Sequence, residues 1–456
     1  MATLSSAGIG SGLNVESIVT GLMNVERQPL TQLQTQQSSY QSKISALGTL
    51  KSAISSLQSA ASALTPAILQ SPTAAFASFN ATVADSTIAS ATTTSSAVAG
   101  TYSVNVTKLG SSQTLALNST FQSGDPALDF GSDDTRTLTI QQGSNAAVTI
   151  TLDKSQNTLS ALRDAINNAG AGVSASTVTD SNGLQHLQLT ADQAGTANTI
   201  TLGGTVAFKG AAASISNSDF AETPATDAIV QIQGITVKAN GNTVSDAIDG
   251  VTLTLAKEGS TSLTLTRDNS ALKSKLTAFV NAYNSLNSSI KSLGAYDATS
   301  KTGAVLNGDS SLRSVQSQVR AALTNVPSSL SSNAYKTLSS LGISFQSDGS
   351  LQLDSTKFDT AASTNFSAVA SAISAYGSSL KTTTTNLLGT TGVIASRTNG
   401  LNSSVTSIGK QITALNNRLS IIEQTYRAQF TALDTTMASM STTSTYLTQQ
   451  LALLSK

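Results

Sequence analysis

Toward its C-terminus the chain places Leu401, Val405, Ile408, Ile412, Leu415, Leu419 and Ile422 in alternating steps of four and three, and Leu433, Met437, Met440, Ser444, Leu447, Leu451 and Leu454 resume the alternation. This spacing puts one apolar seam on a helix and turns it toward a partner helix. A helix over 401–454 is about 80 Å long at 1.5 Å per residue and cannot be buried in one globule. Between Ile422 and Leu433 the steps run 4, 4, 3 through Tyr426 and Phe430, an eleven-residue unit that locally unwinds a left-handed supercoil. Near the other end Tyr40, Ile44, Leu47, Leu50, Ile54, Leu57, Ala61, Leu64 and Ile68 form a second seam. If the two ends pair, the chain goes out along a rod, builds a head and returns along the same rod.

The sequence between them changes period. Residues 101–109 ("TYSVNVTKL") set Tyr102, Val104 and Val106 on one face by strict alternation, and strands dominate to about residue 268. Residues 136–202 read as strand, turn, strand, helix, strand, strand. The helix is "NTLSALRDAINNAG", with Leu159, Leu162 and Ile166 on one face and Gly170 placed to end it. A shorter echo, "NTVSDAIDG" at 242, predicts that the module has been used twice. At Leu272 the helical period returns through Leu276, Phe279, Tyr283, Leu286, Ile290 and Leu293, and further helices are predicted around Leu312–Leu323 and Val369–Ile373, with a hairpin at "QSDGS".

Several stretches resemble chemistry without its supporting residues. "GIGSGL" at 8–13 lacks a preceding strand and carries Leu13 where a dinucleotide loop needs its third glycine. It reads as a leader into a helix capped by Asn14, with Glu16 in the first turn and a stop at Pro29. "GDSSL" at 308–312 has the look of a serine nucleophile, but the sole histidine, His186, lies earlier, in an alternating strand where Leu187 and Leu189 face the core. A helix N-cap at Asp309 or Ser310 is the simpler reading. "GKQIT" at 409 is no phosphate loop, and Asp133 and Asp134 lack the spacing of a calcium loop. No catalytic, cofactor or metal residue is expected. There is no cysteine, charged residues are 11% of 456, and formal net charge is zero without a Lys/Arg block. Disulfides are thereby excluded, and neither nucleic acid nor an anionic membrane is a favoured partner. No apolar run reaches membrane-spanning length, and the first basic residue is Arg27, so the start of a cleavable secretory signal is missing. The expectation is a protein that stays inside or leaves by another route.

The order of several segments along nearly the whole chain resembles one family. "GIGSGLNVESIVTGLMNVERQPLTQLQTQQSSYQSKISALGTLKSAI", "GTYSVNVTKLGSSQTLA", "AFVNAYNSLNSSI", "LNGDSSLRSV", "LGISFQSDGSLQLD" and "QFTALDTTMASMSTTSTYLTQQL" are similar to the flagellar filament cap (hook-associated protein 2) family, and residues 136–202 resemble a small repeat shared with flagellins. The resemblance implies a ring of about five or six subunits at the filament tip, under which flagellin folds and inserts. It also implies a secreted location reached through the flagellar channel, hook-filament junction proteins and a cytoplasmic export chaperone as further partners, and a head open to host mucin or glycans. Together with the seams it predicts an α+β multidomain fold. Paired terminal leg helices would span 1–40 and 415–456, a helical rod domain 41–70 and 271–414, one β-rich head domain 71–133 and 221–270, and a second 134–220. Seam residues expected to touch other subunits or flagellin are Leu13, Leu22, Val25, Leu33 and Tyr40 on the N-terminal side. On the C-terminal side they are Leu419, Ile422, Tyr426, Phe430, Leu433, Met437, Met440, Leu447 and Leu451. The alternatives are another axial subunit, either flagellin or a junction protein, or an adhesin with a glycan-binding head.

Overall fold

A computed structural model describes residues 14–211 and 214–454; Leu13 and the glycine leader lie outside them. The chain forms two compact units, one from its two ends, up to residue 68 and from residue 272 onward, and one from residues 69–271.

In the first unit α1 (Val15–Glu26) starts where the Asn14 side chain accepts from the Ser17 N–H at 3.0 Å. Arg27 interrupts the helix for one residue, and α2 (Gln28–Ala63) restarts with Pro29 in its first turn, where a missing N–H costs nothing. The break is therefore shorter than a proline stop implies. Along α2, Leu47, Leu50, Ile54, Leu57 and Ala61 are fully buried, while Tyr40 and Ile44 are half-buried. The seam ends at Leu64, and Ile68 is exposed rather than part of it. Pro66 explains this, because it disfavours helical backbone at Thr65 and brings no N–H.

In the second unit, α3 is a single turn (Pro72–Phe76) and α4 (Leu159–Ala169) is the helix of the 136–202 module. Thr158 caps α4 by accepting from Ala161 N–H, and Gly170, at φ 63°, closes it in the left-handed conformation. Two cores lie side by side in this unit. One contains the antiparallel order Phe79–Val83, Gly259–Arg267, Gly100–Lys108, Ala228–Ile232, Ile235–Ala239 and a three-stranded sheet Thr243–Ile248, Val251–Leu255, Ala89–Thr93. The other packs α4 with strands Thr135–Gln142, Val148–Asp153, Val173–Thr179, Leu184–Ala191 and Ile200–Gly204, and its buried residues run from Leu115 to Phe220.

The echo at 242 is not a second copy of that module. Thr243–Ile248 is a strand bulged between Ser245 and Ile248, with Asp246 at φ 62°. Asn242 bonds both N–H and C=O of Gly110 instead of capping a helix, and the stretch reaches Gly250 too soon for a helix to bury a stripe.

Returning to the first unit, α5 (Ser270–Gly294) buries Leu272, Leu276, Phe279, Tyr283, Leu286 and Ile290. Next come α6 (Ser310–Thr324), α7 (Ser355–Thr364), α8 (Phe366–Leu388) and α9 (Val393–Leu454). The "QSDGS" hairpin joins Ile343–Phe345 to Leu351–Leu353. Asp309 caps α6, accepting from Ser311 N–H at 2.9 Å, and receives Arg397 of α9 at 2.9 Å. The 62 residues of α9 extend about 93 Å. Helix α2 lies against both α8 and α9.

Candidate interaction surface of the terminal helices

The proximal seam of α9 is covered by its own chain. Leu401, Ile408 and Leu419 are buried, and Val405, Ile412 and Leu415 are half-buried. Val15, Val19 and Met23, spaced four apart on α1, bury one face in a cluster with Leu419. Leu30, Leu415, Ile422, Tyr426 and Phe430 pack around that cluster.

Polar links surround it. Arg427 donates from its two terminal nitrogens to the two Glu16 carboxylate oxygens at 2.5 and 2.9 Å, and to Glu423 one turn back at 3.1 Å. Arg27 stands 3.6 Å from Glu423, and the Tyr426 hydroxyl donates to Glu26 at 3.3 Å. The Arg427 hydrogen bond, followed by its charge, holds the Glu16 carboxyl below the usual carboxylate range. Two carboxylates in turn push the already high guanidinium value further up. Desolvation, then the neighbouring Glu26, raise the Tyr426 hydroxyl.

Beyond Phe430 this cover ends. Leu433, Met437, Met440, Leu447 and Leu451 continue the seam on the same face, yet each is between 38% and 67% exposed. On α1, Leu22 and Val25 point away from the cluster and are exposed as well, whereas Leu33 and Tyr40 on α2 are half-buried. The structure thus brings Leu419, Ile422, Tyr426 and Phe430 together inside one chain and leaves Leu22, Val25 and the distal α9 residues open. Sequence reasoning missed Val15, Val19 and Met23 as their cover. A 4, 4 spacing was the available signal, but on so short a helix it does not outweigh the neighbouring Leu22 and Val25.

Among the described residues, the other chemical-looking stretches do not converge on one site. His186 is half-buried on its sheet, with Nδ1 3.3 Å from Leu117 O and Nε2 3.8 Å from Asp180, and it belongs to a different unit from Ser310. Among the described residues no three His, Asp or Glu groups converge as metal ligands, and no helix is long and apolar enough to cross a membrane.

Family models for the N-terminus and C-terminus of flagellar hook-associated protein 2 match residues 11–113 and 225–442, and the flagellin hook IN motif matches 137–193, the α4 module. The chain is 38% identical to flagellar hook-associated protein 2 of Escherichia coli K12, over 99% of this chain and 98% of that protein. To the protein of the same name from Salmonella typhimurium LT2 it is 35% identical over the full length of both. The B-type protein of Pseudomonas aeruginosa is 31% identical over 80% of this chain and 79% of its own. The solved D1-D2-D3 domains of the flagellar cap protein FliD from Escherichia coli superpose with a TM-score of 0.61 at 33% identity, covering 78% of this chain and 99% of that one. With whole-length relatives and a shared fold, this chain belongs to the flagellar hook-associated protein 2 family, the filament cap proteins.

Proposed function

We propose that the chain caps the distal end of a bacterial flagellar filament as a closed ring of about five or six copies, and that flagellin folds and inserts beneath it. The observation that carries this reading is the apolar stripe from Leu433 to Leu451, continuous with a buried intrachain seam but exposed in the single chain. A seam of this kind on a helix is stable when another helix covers it. Residues 1–40 and 415–456 act as the leg, with Leu13, Leu22, Val25 and the distal α9 residues as its contact surface toward other copies and flagellin. Residues 41–70 and 271–414 form the rod, and the segments between them the heads.

Before assembly the exposed stripe is the part an export chaperone would shield, and hook-filament junction proteins are the first axial surface the legs meet. No reaction is assigned to the chain. Asp309 of the Gly-Asp-Ser stretch is occupied by a helix cap and by Arg397, so it has no role in activating Ser310. Deleting the gene tests the reading: motility is lost and unpolymerised flagellin accumulates in the medium, and supplying the chain restores filaments. A deletion strain that keeps its filaments and loses only surface attachment would defeat capping in favour of adhesion.

A further inference from the structure

Helix α1 carries more apolar surface than the described residues of its own chain cover. Val15, Val19 and Met23 make one stripe, buried on α9. Ile18, Leu22 and Val25, at i, i+4 and i+7, make a second stripe beside it, and Val25 is 62% exposed. Within the second stripe sits Gly21, where an added Cβ would meet nothing within 4 Å. Glycine in a helix interior costs about 0.5–1 kcal/mol against alanine, and no contact among the described residues accounts for it here.

We propose that α1 is two-sided, its inner stripe resting on its own α9 and its outer stripe seating on Leu433, Met437 and Met440 of α9 in a second copy of this chain, with Gly21 admitting the incoming helix. This rests on the reading that copies assemble through their terminal helices. In its own chain the outer stripe stops short of Met437. Glu26, next to Val25, touches Tyr426, and Met437 lies eleven residues further along α9, about 17 Å away. The charge pattern suits that pairing. No Asp, Glu, Lys or Arg occurs between Asp434 and Lys456, and none lies among Ile18, Gly21, Leu22 and Val25. Apart from Asp434 and Glu26 at their edges, the two stripes meet without charge.

The second surface is also prepared for burial. Thr435, Thr436, Thr442 and Thr443 donate their hydroxyls to carbonyls one turn back at 2.9 Å, so covering the helix there strands none of these four donors.

The chain has no cysteine, so single thiols can be placed cleanly. Full-length Val25→Cys and Met437→Cys chains are mixed, their assembly is confirmed by size, and the oligomer is mildly oxidised. The mixed disulfide should exceed the roughly twofold excess over each homodimer that random pairing gives, since a disulfide needs Cα atoms within about 7 Å. In parallel, Gly21→Leu should leave the melting temperature of the monomer unchanged or raised while weakening association at least about tenfold, a loss of about 1.4 kcal/mol.

A wild-type chain that never associates overturns the assembly reading, and this pairing with it. An oligomer whose disulfides are absent or statistical overturns the pairing alone, as does a Gly21→Leu chain that associates normally. With flagellin carrying an introduced surface cysteine added to the mixture, a disulfide from Val25→Cys to that flagellin instead of to Met437→Cys would assign the stripe to flagellin and likewise overturn it.

Discussion

Asp227 shows how a single side chain ties one core of the strand-rich unit to the other. Its carboxylate accepts Lys238 Nζ at 2.8 Å, Thr196 N–H at 2.6 Å and the Thr196 hydroxyl at 2.9 Å. Thr196 stands in the loop before Ile200 of one core, and Asp227 precedes the strand Ala228–Ile232 of the other. Lys238 first, and the Thr196 backbone N–H next, lower the Asp227 carboxyl to about 2. Because the folded value lies below the unfolded one, the stabilisation is fully present above about pH 4 and disappears as pH falls through about 2. We expect the melting temperature of the strand-rich unit to fall between pH 4 and 2, and Asp227→Asn to start lower at neutral pH with a shallower slope. Thermal melts followed by circular dichroism across that range check it, and parallel slopes would show that Asp227 is not the coupled group.

Among elements, the contacts between helices set different tolerances. Gly377 on α8 lets α2 approach so closely that a Cβ there would lie 2.9 Å from both Cβ and O of Leu64. Alanine gains about 1 kcal/mol of helix propensity and loses about 1–3 kcal/mol to overpacking. Gly377→Ala is therefore expected to lower the urea midpoint of the helical unit, opposite to its propensity. The α1–α9 contact is held differently, by exposed ion pairs around four buried apolar residues. Exposed pairs are screened by salt. Amides of α1 should exchange faster as ionic strength rises while those of α8 do not, and Arg427→Ala should reproduce the high-salt behaviour in low salt. Hydrogen-exchange measurements that find α1 insensitive to both changes would mean that Val15, Val19 and Met23 hold it alone.

On the scale of the whole molecule, the α4 core is an insertion whose ends are already joined. Ser111 and Thr226 exchange backbone hydrogen bonds at 2.9 and 3.1 Å, and every buried residue of the α4 core lies between them. No residue of the neighbouring core does. Replacing residues 113–224 by a short glycine-rich link should leave a chain that folds with the neighbouring core and the helical unit intact. Limited proteolysis and a cooperative melt of the shortened chain test this. Loss of the Gly100–Lys108 and Ala228–Ile232 pairing would show that the two cores fold only together.

What the sequence determined by itself is what depends on period. The 4,3 alternation from Leu401 identified a helix that the structure draws out to 62 residues, and the alternation at Tyr102, Val104 and Val106 identified a central strand. Gly170 marked the C-terminal end of α4. Each signal is local, because backbone geometry fixes which residues share a face. The order of family-like segments supplied the function in the same way, one stretch at a time. Period was not enough where a short stretch could be spent in two ways: "NTVSDAIDG" copies the letters that open α4, yet its Asn242 is drawn to Gly110, far away in sequence, and the stretch becomes a bulged strand. The seam residues show the same limit. The stutter sets Tyr426 and Phe430 apart in spacing from Met437 and Met440, yet that spacing does not tell that α1 of the same chain covers the first pair and leaves the second bare. Only the tertiary structure decided that division, because it depends on where along α9 the cover supplied by α1 ends, and a helical repeat carries no record of its partner's length.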